Sequence, residues 1–135
     1  MAKLDDILSE VLGNVDGALA CAVVDVNTGL LLAVAHGVPY FTQSYLEAVA
    51  AAAVDLFRGK NIDTIESLLS AQRGKPVQHA ITEIQMSTDG TFHFLAIVRD
   101  KPHIMMALIT NRKTNLGMGW MAVRSNLGKI GALCP

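Results

Sequence analysis

Three patterns predict an α+β fold in which helices cover both faces of a five-stranded antiparallel sheet. Two apolar segments, 17–26 and 29–37, meet at Asn27–Gly29, an arrangement that is typical of a β-hairpin. From Val77 onward, apolar and polar residues alternate with the period of two that strands show. Apolar residues at helical spacing occupy both ends of the chain and a long central segment. The predicted order is therefore α-β-β-α-β-β-β-α.

The first helix and the hairpin follow from these patterns. Five apolar residues at helical spacing predict the helix, which Gly13 and Asn14 end: Leu4, Ile7, Leu8, Val11 and Leu12. Gly29 can adopt the left-handed conformation that closes a short loop. Both hairpin segments are apolar on both faces, which indicates strands that are central or packed beneath helices.

The central helix is predicted from Gln43 to about Lys60, and its residues divide into three sectors. The polar sector contains Gln43, Ser44, Glu47, Ala51, Asp55 and Arg58. The bulky sector, which we expect to pack on the sheet, contains Tyr45, Leu46, Val49, Leu56 and Phe57. A ridge of minimal side chains lies between them: Ala48, Ala52 and Gly59. Such a ridge would suit a close approach by a second helix, and the best candidate is the same helix of a second copy.

The second half of the chain predicts three strands and a last helix. Asp63 and Glu66 have capping-box spacing, so a short helical piece is expected before a loop at 70–76. The strands are predicted at 77–86, 91–98 and 103–110, separated by turns at 89–90 and 100–102. The last helix is predicted from one apolar stripe: Leu116, Trp120, Val123, Leu127 and Ile130.

Length and composition indicate one cytoplasmic domain, residues 1–135. Hydrophobic residues make up 51% of the chain, yet no uncharged apolar stretch approaches the ~20 residues of a membrane span. Asp5 and Asp6 stand where a signal peptide would be basic and then apolar. Cys21 and Cys134 are expected to be reduced thiols. With a net charge of −1 and no basic run interleaved with aromatics, nucleic acid is an unexpected partner.

No pattern in the chain indicates catalysis, a metal or a cofactor. The four histidines, His36, His79, His93 and His103, lack metal-ligand spacing and are expected at the surface or at hairpin ends. Gly117–Ala122 matches the dinucleotide-binding pattern G-x-G-x-x-A. That fold also requires a further parallel strand and an acidic residue ~20 positions on, whereas no acidic residue follows Ala122. We expect these glycines to let the last helix lie close to the sheet.

The element order, the hairpin sequence VDGALACAVVDVNTGLLLA and the long central helix resemble the Roadblock/LC7 family over roughly Leu4–Gly128. The resemblance implies a profilin-like fold with strand order 2-1-5-4-3, the central helix on one face and the terminal helices on the other. It also implies homodimers in which central helices pair antiparallel and third strands join edge to edge. The interface would then include the ridge Ala48, Ala52 and Gly59, and Thr82, Glu83 and Ile84 of the third strand. The segment 61–76 is longer than the minimal family joint.

Family members are platforms rather than enzymes. Bacterial members act with Ras-like small GTPases, some of them stimulating hydrolysis, and eukaryotic members are dynein light chains or GTPase scaffolds. The resemblance implies a homodimeric regulator of a small GTPase, and Gln43, Glu47, Asp55 and Arg58 are the predicted docking residues. Two alternatives remain open at this stage. One is a profilin-like or PAS-like sensor, which needs a cavity with convergent polar groups. The other is a purely structural dimerisation or scaffold subunit.

Overall fold

The computed structural model describes residues 3–39 and 41–135. The described helices are α1 (Leu4–Asn14), α2 (Gln43–Arg58), α3 (Lys60–Arg73) and α4 (Leu116–Leu133). The described strands are β1 (Ala18–Asp25), β2 (Leu30–His36), β3 (Glu83–Ser87), β4 (Thr91–Ile97) and β5 (Ile104–Asn111). The strands form one sheet in the order β2-β1-β5-β4-β3, with every neighbouring pair antiparallel. The predicted fold class and strand order are both confirmed.

The β1–β2 hairpin closes as its sequence predicts. Gly29 has φ +76°, in the left-handed region that favours glycine. The Asp25 carboxylate accepts hydrogen bonds from the backbone N–H of Asn27 at 2.8 Å and of Thr28 at 3.3 Å, which fixes the turn. β1 is central between β2 and β5, whereas β2 is an edge strand whose first residue, Leu30, is 61% exposed.

Two helical layers enclose the sheet because the strands alternate their side chains between its faces. Along β4, Phe92, Phe94 and Ala96 join the core formed with α1 and α4, while Leu95 and Ile97 join the core formed with α2. The terminal helices therefore cover one face and the central helix covers the other, as the resemblance implies. Each layer buries its own apolar cluster, and the sheet is the shared wall.

Helix α4 approaches the sheet closely through two glycines. A Cβ added to Gly119 would lie 2.5 Å from Phe94 Cζ, and one added to Gly131 would lie 2.8 Å from Val98 Cγ1. The expectation that glycine allows this close packing is confirmed for Gly119, which lies within the G-x-G-x-x-A sequence. Gly117 meets only the Asn115 side-chain oxygen at 3.2 Å.

The segment after α2 differs from the prediction. The predicted capping box of Asp63 and Glu66 is wrong, because α3 already begins at Lys60 with Gly59 as its N-cap. Glu66 is buried and accepts a hydrogen bond from the Ala80 backbone N–H at 2.6 Å, so it anchors the following loop to α3. α3 ends at Arg73, where Gly74 takes the left-handed conformation with φ +68°.

The third strand is shorter than predicted. It spans Glu83–Ser87 rather than 77–86, and residues 77–82 are irregular. His79 has φ +52°, which is incompatible with a continuous strand. Ser70 Oγ accepts a hydrogen bond from the Val77 backbone N–H at 2.7 Å, so α3 holds the start of this segment. The alternation of apolar and polar residues in the sequence therefore extends beyond the residues that pair with β4.

Candidate functional site

Helix α2 is attached to the sheet along one side only. Thr42 caps its first turn by accepting a hydrogen bond from the Tyr45 backbone N–H at 3.3 Å. Four α2 residues are buried against β1, β4 and β5: Leu46, Ala50, Ala53 and Phe57. The opposite side of the helix, which includes Ala48, Ala51 and Ala52, is exposed in the described chain. The surface that α2 offers to a partner therefore contains three alanines beside its polar residues.

Two of the three predicted ridge residues lie on this surface. Ala48 and Ala52 are exposed one turn apart, as the sequence predicts. Gly59 is half-buried in the joint between α2 and α3, where an added Cβ would meet the Asp55 carbonyl oxygen. Its placement in an exposed ridge was wrong because α2 ends at Arg58. We call Ala48 and Ala52 the small ridge.

Tyr45 was expected against the sheet, and this expectation was wrong. Its side chain is 38% exposed, and its ring stacks on Phe41 with centroids 5.2 Å apart. At this end of α2, the aromatic side chain that packs on the sheet is Phe41, which is buried with Leu46 and Ile109. The arrangement of residues around the predicted helix could not indicate this contact, because Phe41 precedes the helix.

Three of the four predicted docking residues form an exposed polar stripe, which we define as Gln43, Glu47 and Asp55. Gln43 Nε2 donates to Glu47 Oε1 at 3.1 Å across one helical turn. The fourth, Arg58, is half-buried and turns away: its Nη2 donates to the Pro102 carbonyl oxygen at 3.0 Å. Arg58 therefore joins α2 to the β4–β5 turn, and its assignment to the stripe was wrong.

A shallow cleft of about 420 Å³ runs between the stripe and the hairpin turn. Its walls are Gln43 and Glu47 on one side and Thr28–Leu31 on the other. Leu30, with 61% of its surface exposed, presents an apolar side chain at this rim. Sequence reasoning missed Leu30 because the residue was read as part of a covered strand. The feature of the sequence that could have indicated the exposure of Leu30 is its position directly after the hairpin turn.

The three predicted third-strand residues are not equivalent. Thr82 precedes β3, and its carbonyl oxygen accepts a hydrogen bond from the Ile97 backbone N–H at 2.9 Å. Ile84 is half-buried against the α2-side core. Glu83 accepts two hydrogen bonds of 2.7 Å from Arg124 of α4, which lower the pKa of its carboxyl group. Within the described residues, β3 has no strand on its outer edge.

An apolar cavity of about 170 Å³ lies between α2 and the sheet. Its walls come from α2 and from all five strands, and His93 is its one imidazole. Burial lowers the pKa of His93, so the ring is held neutral more strongly than an exposed histidine. His93 was expected at the surface or at a hairpin end; it lies half-buried within β4 instead. The convergent polar groups that a polar-ligand sensor needs are not found among the residues lining this cavity.

The remaining reactive side chains are dispersed. Within residues 3–39 and 41–135, no three His, Cys, Asp or Glu side chains cluster in a way that could hold a metal ion. Cys21 and Cys134 are both free and buried, and burial raises the pKa of Cys21 to about 12. The Cys21 thiol donates to the Leu8 carbonyl oxygen at 3.1 Å, which ties β1 to α1. No helix in the described part of the chain is long and apolar enough to cross a bilayer.

Comparisons with solved structures identify the fold. A Roadblock/LC7 domain from Streptomyces avermitilis is 14% identical, with 97% of each chain covered and a TM-score of 0.72. An MglB solved in a tetrameric arrangement is 14% identical, with 95% of this chain and 85% of that chain covered and a TM-score of 0.72. MglB from Myxococcus xanthus is 13% identical, with 93% and 89% covered and a TM-score of 0.68.

No family model matches the sequence, and neither does any curated protein. At these identities the likeness establishes the fold, and the chain has the Roadblock/LC7 fold that its sequence resembles.

Proposed function

We propose that this chain is a non-catalytic, cytoplasmic platform that forms homodimers and regulates a Ras-like small GTPase. The observation that carries the proposal is the one-sided attachment of α2. Its sheet-facing side is buried, while the small ridge, Ala48 and Ala52, remains exposed on a helix with excellent helix-forming residues. The small side chains would allow a second helix to approach closely, and burying them removes apolar surface from water.

The edge of the sheet supports the same arrangement. β3 presents unpaired backbone groups beyond the last strand pairing of the described sheet. Such an edge is stabilised when it pairs with a strand of another chain. A two-fold axis could place two β3 strands and two α2 helices against each other at once, because both surfaces would then meet their own copies. The tetrameric arrangement of a structurally similar MglB is consistent with self-association in this fold.

The GTPase would dock on the polar stripe and the adjoining cleft. Glu47 and Asp55 provide negative charge, and Leu30 provides an apolar anchor at the opposite rim. An exposed apolar residue bordered by polar groups is a common composition for a protein interface. Ala52 lines the cavity beneath α2 on one side, whereas Gln43 and Glu47 line the hairpin cleft, so the small ridge and the cleft lie on different flanks of the helix.

Surface plasmon resonance against Ras-like GTPases from the same genome tests this docking face, with each GTPase loaded with GDP or a non-hydrolysable GTP analogue. Binding should prefer one nucleotide state, since switch regions differ between the states. Reversing the charges with Glu47→Lys and Asp55→Lys should slow association, because rim charges act mainly on encounter. Leu30→Asp should speed dissociation by removing the apolar anchor.

The matched control is Leu68→Asp on α3, where the leucine is 67% exposed and lies outside the cleft. This control should bind as wild type. If the charge reversal and Leu30→Asp both leave the kinetics unchanged, the docking face lies elsewhere. The groove between α1 and α4, with Met118 and Met121 at 60% and 70% exposure, would be the next surface to examine.

A further inference from the structure

The apolar cavity beneath α2 is large for a small domain, and it is partly open to the surface. Its volume is about 170 Å³. Protein interiors are close-packed, and voids larger than one water molecule are few. An engineered apolar cavity of about 150 Å³ in an unrelated protein stays dry and binds benzene or xenon. The space under α2 therefore has the size at which an apolar cavity becomes a binding site.

The cavity lies between residues of α2 and residues of the strands. Six of its wall residues are alanines, three from the central strands and three from the helix: Ala20, Ala22, Ala107, Ala50, Ala52 and Ala53. Facing alanines leave a gap between helix and sheet that larger aliphatic side chains would fill. Four of these alanines are buried, at 2–6% exposure. The gap thus results from small side chains on a helix and strands, and no loop residue is needed to form it.

We propose that this cavity binds a small, neutral, apolar molecule about the size of a benzene ring. None of the lining residues is Asp, Glu, Lys or Arg, and His93 is the one ring that could carry charge. A charged ligand would be left unpaired in this site, at a large cost in free energy. An apolar ligand leaves no charge or hydrogen bond unpaired on entry, and it gains contacts with the walls. This site is additional to the proposed docking face.

The structure also supplies a route into the cavity. Ala52 and Met86 line it and are both exposed, with Met86 at 36%, so the cavity reaches the surface between α2 and β3. Methionine is flexible and adapts its shape to different neighbours. A change in the side-chain rotamer of Met86 would widen this opening.

The competing occupant is a side chain of a second copy. Ala52 belongs both to the cavity wall and to the small ridge, so a partner helix would lie near the opening. The two occupants predict different behaviour: a partner side chain excludes the ligand from the dimer, whereas an independent ligand site is open in either state. Ala48→Glu provides the comparison, because Ala48 is on the ridge but does not line the cavity.

The test is thermal unfolding of the full chain with increasing benzene, together with methyl NMR. At a benzene concentration ten times Kd, the Tm should rise by roughly 5 °C. Ring-current shifts should appear at the methyl groups of Ala50, Ala107 and Ile109, which line the cavity. Ala107→Leu should fill the space, and it should abolish both the Tm rise and the methyl shifts. Ala107→Val should reduce both if the leucine variant fails to fold.

The control is Ala96→Leu, a fully buried alanine in the core on the opposite face of the sheet. It should lower the Tm by overpacking, and the response to benzene should persist. An equal benzene response in wild type and Ala48→Glu supports the proposal. A response confined to Ala48→Glu, or absent from both, overturns it. The mass of each sample, measured in parallel, tests separately whether the chain forms a homodimer.

Discussion

Single residues show where environment overrides residue type. Glu66 is an acidic residue that the sequence assigns to a helix cap, yet it is buried and anchors Ala80. Arg58 looks like a surface charge and instead reaches Pro102, 44 positions along the chain. Neither role could be predicted from spacing, because each depends on a backbone group brought near by the tertiary fold. Ala48 and Ala52 were predictable because exposure on α2 follows helical geometry alone.

His93 should make stability depend on pH. Burial lowers its pKa in the folded chain below the ordinary value of about 6.5. Between these two values the unfolded chain binds a proton that the folded chain does not. The free energy of unfolding should therefore decrease as pH falls below about 6.5, and the decrease should end once the folded pKa is passed. His93→Gln should have a flatter profile in urea unfolding between pH 8 and pH 5. Parallel profiles for the two proteins would exclude His93 as the cause.

The two thiols should be inert in the folded chain. Cys21 and Cys134 are both buried, and desolvation raises the pKa of each thiol, which leaves little reactive thiolate at neutral pH. A maleimide reagent should label neither cysteine under native conditions within the time that labels both in denaturant. Rapid native labelling of Cys21 would contradict its placement against Leu8.

At the scale of elements, the spacing of apolar residues predicted most strands of the sheet and the helices that pack directly on it. Their apolar pattern is fixed by the face they bury, so α1, β1, β4, β5 and α4 lie where expected. The pattern failed at α3 and at residues 77–82, which precede β3 and are irregular. α3 is 14 residues long with Glu66 as its buried residue, so it carries little amphipathic signal. Residues 77–82 alternate in sequence but attach to α3 through Ser70 and Glu66.

Two glycines of α4 provide a matched test of its packing. Gly119→Ala would place a Cβ against the Phe94 ring and should destabilise the fold by about 1–3 kcal/mol. Gly128→Ala on the same helix meets nothing within 4 Å and should stabilise it by about 0.5–1 kcal/mol through helix propensity. Urea unfolding of both variants checks the pair. Equal effects of the same sign would show that α4 does not approach the sheet as described.

At the scale of the whole molecule, the α2 side of the sheet is less completely covered than the α1–α4 side. One helix is packed on the first, with alanines on its outer surface, while two helices cover the second. A symmetric pair would protect both α2 and the β3 edge, and it would present two polar stripes to a GTPase. The sequence could predict that the small residues of α2 would be covered by another helix. It could not locate Leu30 or the cavity, because both arise from the distance between α2 and neighbouring elements.

The most direct test of this account is the mass in solution by light scattering at micromolar concentration. Wild type should have twice the chain mass of 14.4 kDa, and so should Glu47→Ala, which alters the polar stripe alone. Ala48→Glu and Ala52→Arg should have the mass of one chain, because each would bury an unpaired charge between helices at a cost of several kcal/mol. A wild-type mass of 14.4 kDa, or a two-chain mass for all three variants, would contradict a homodimer built on the small ridge.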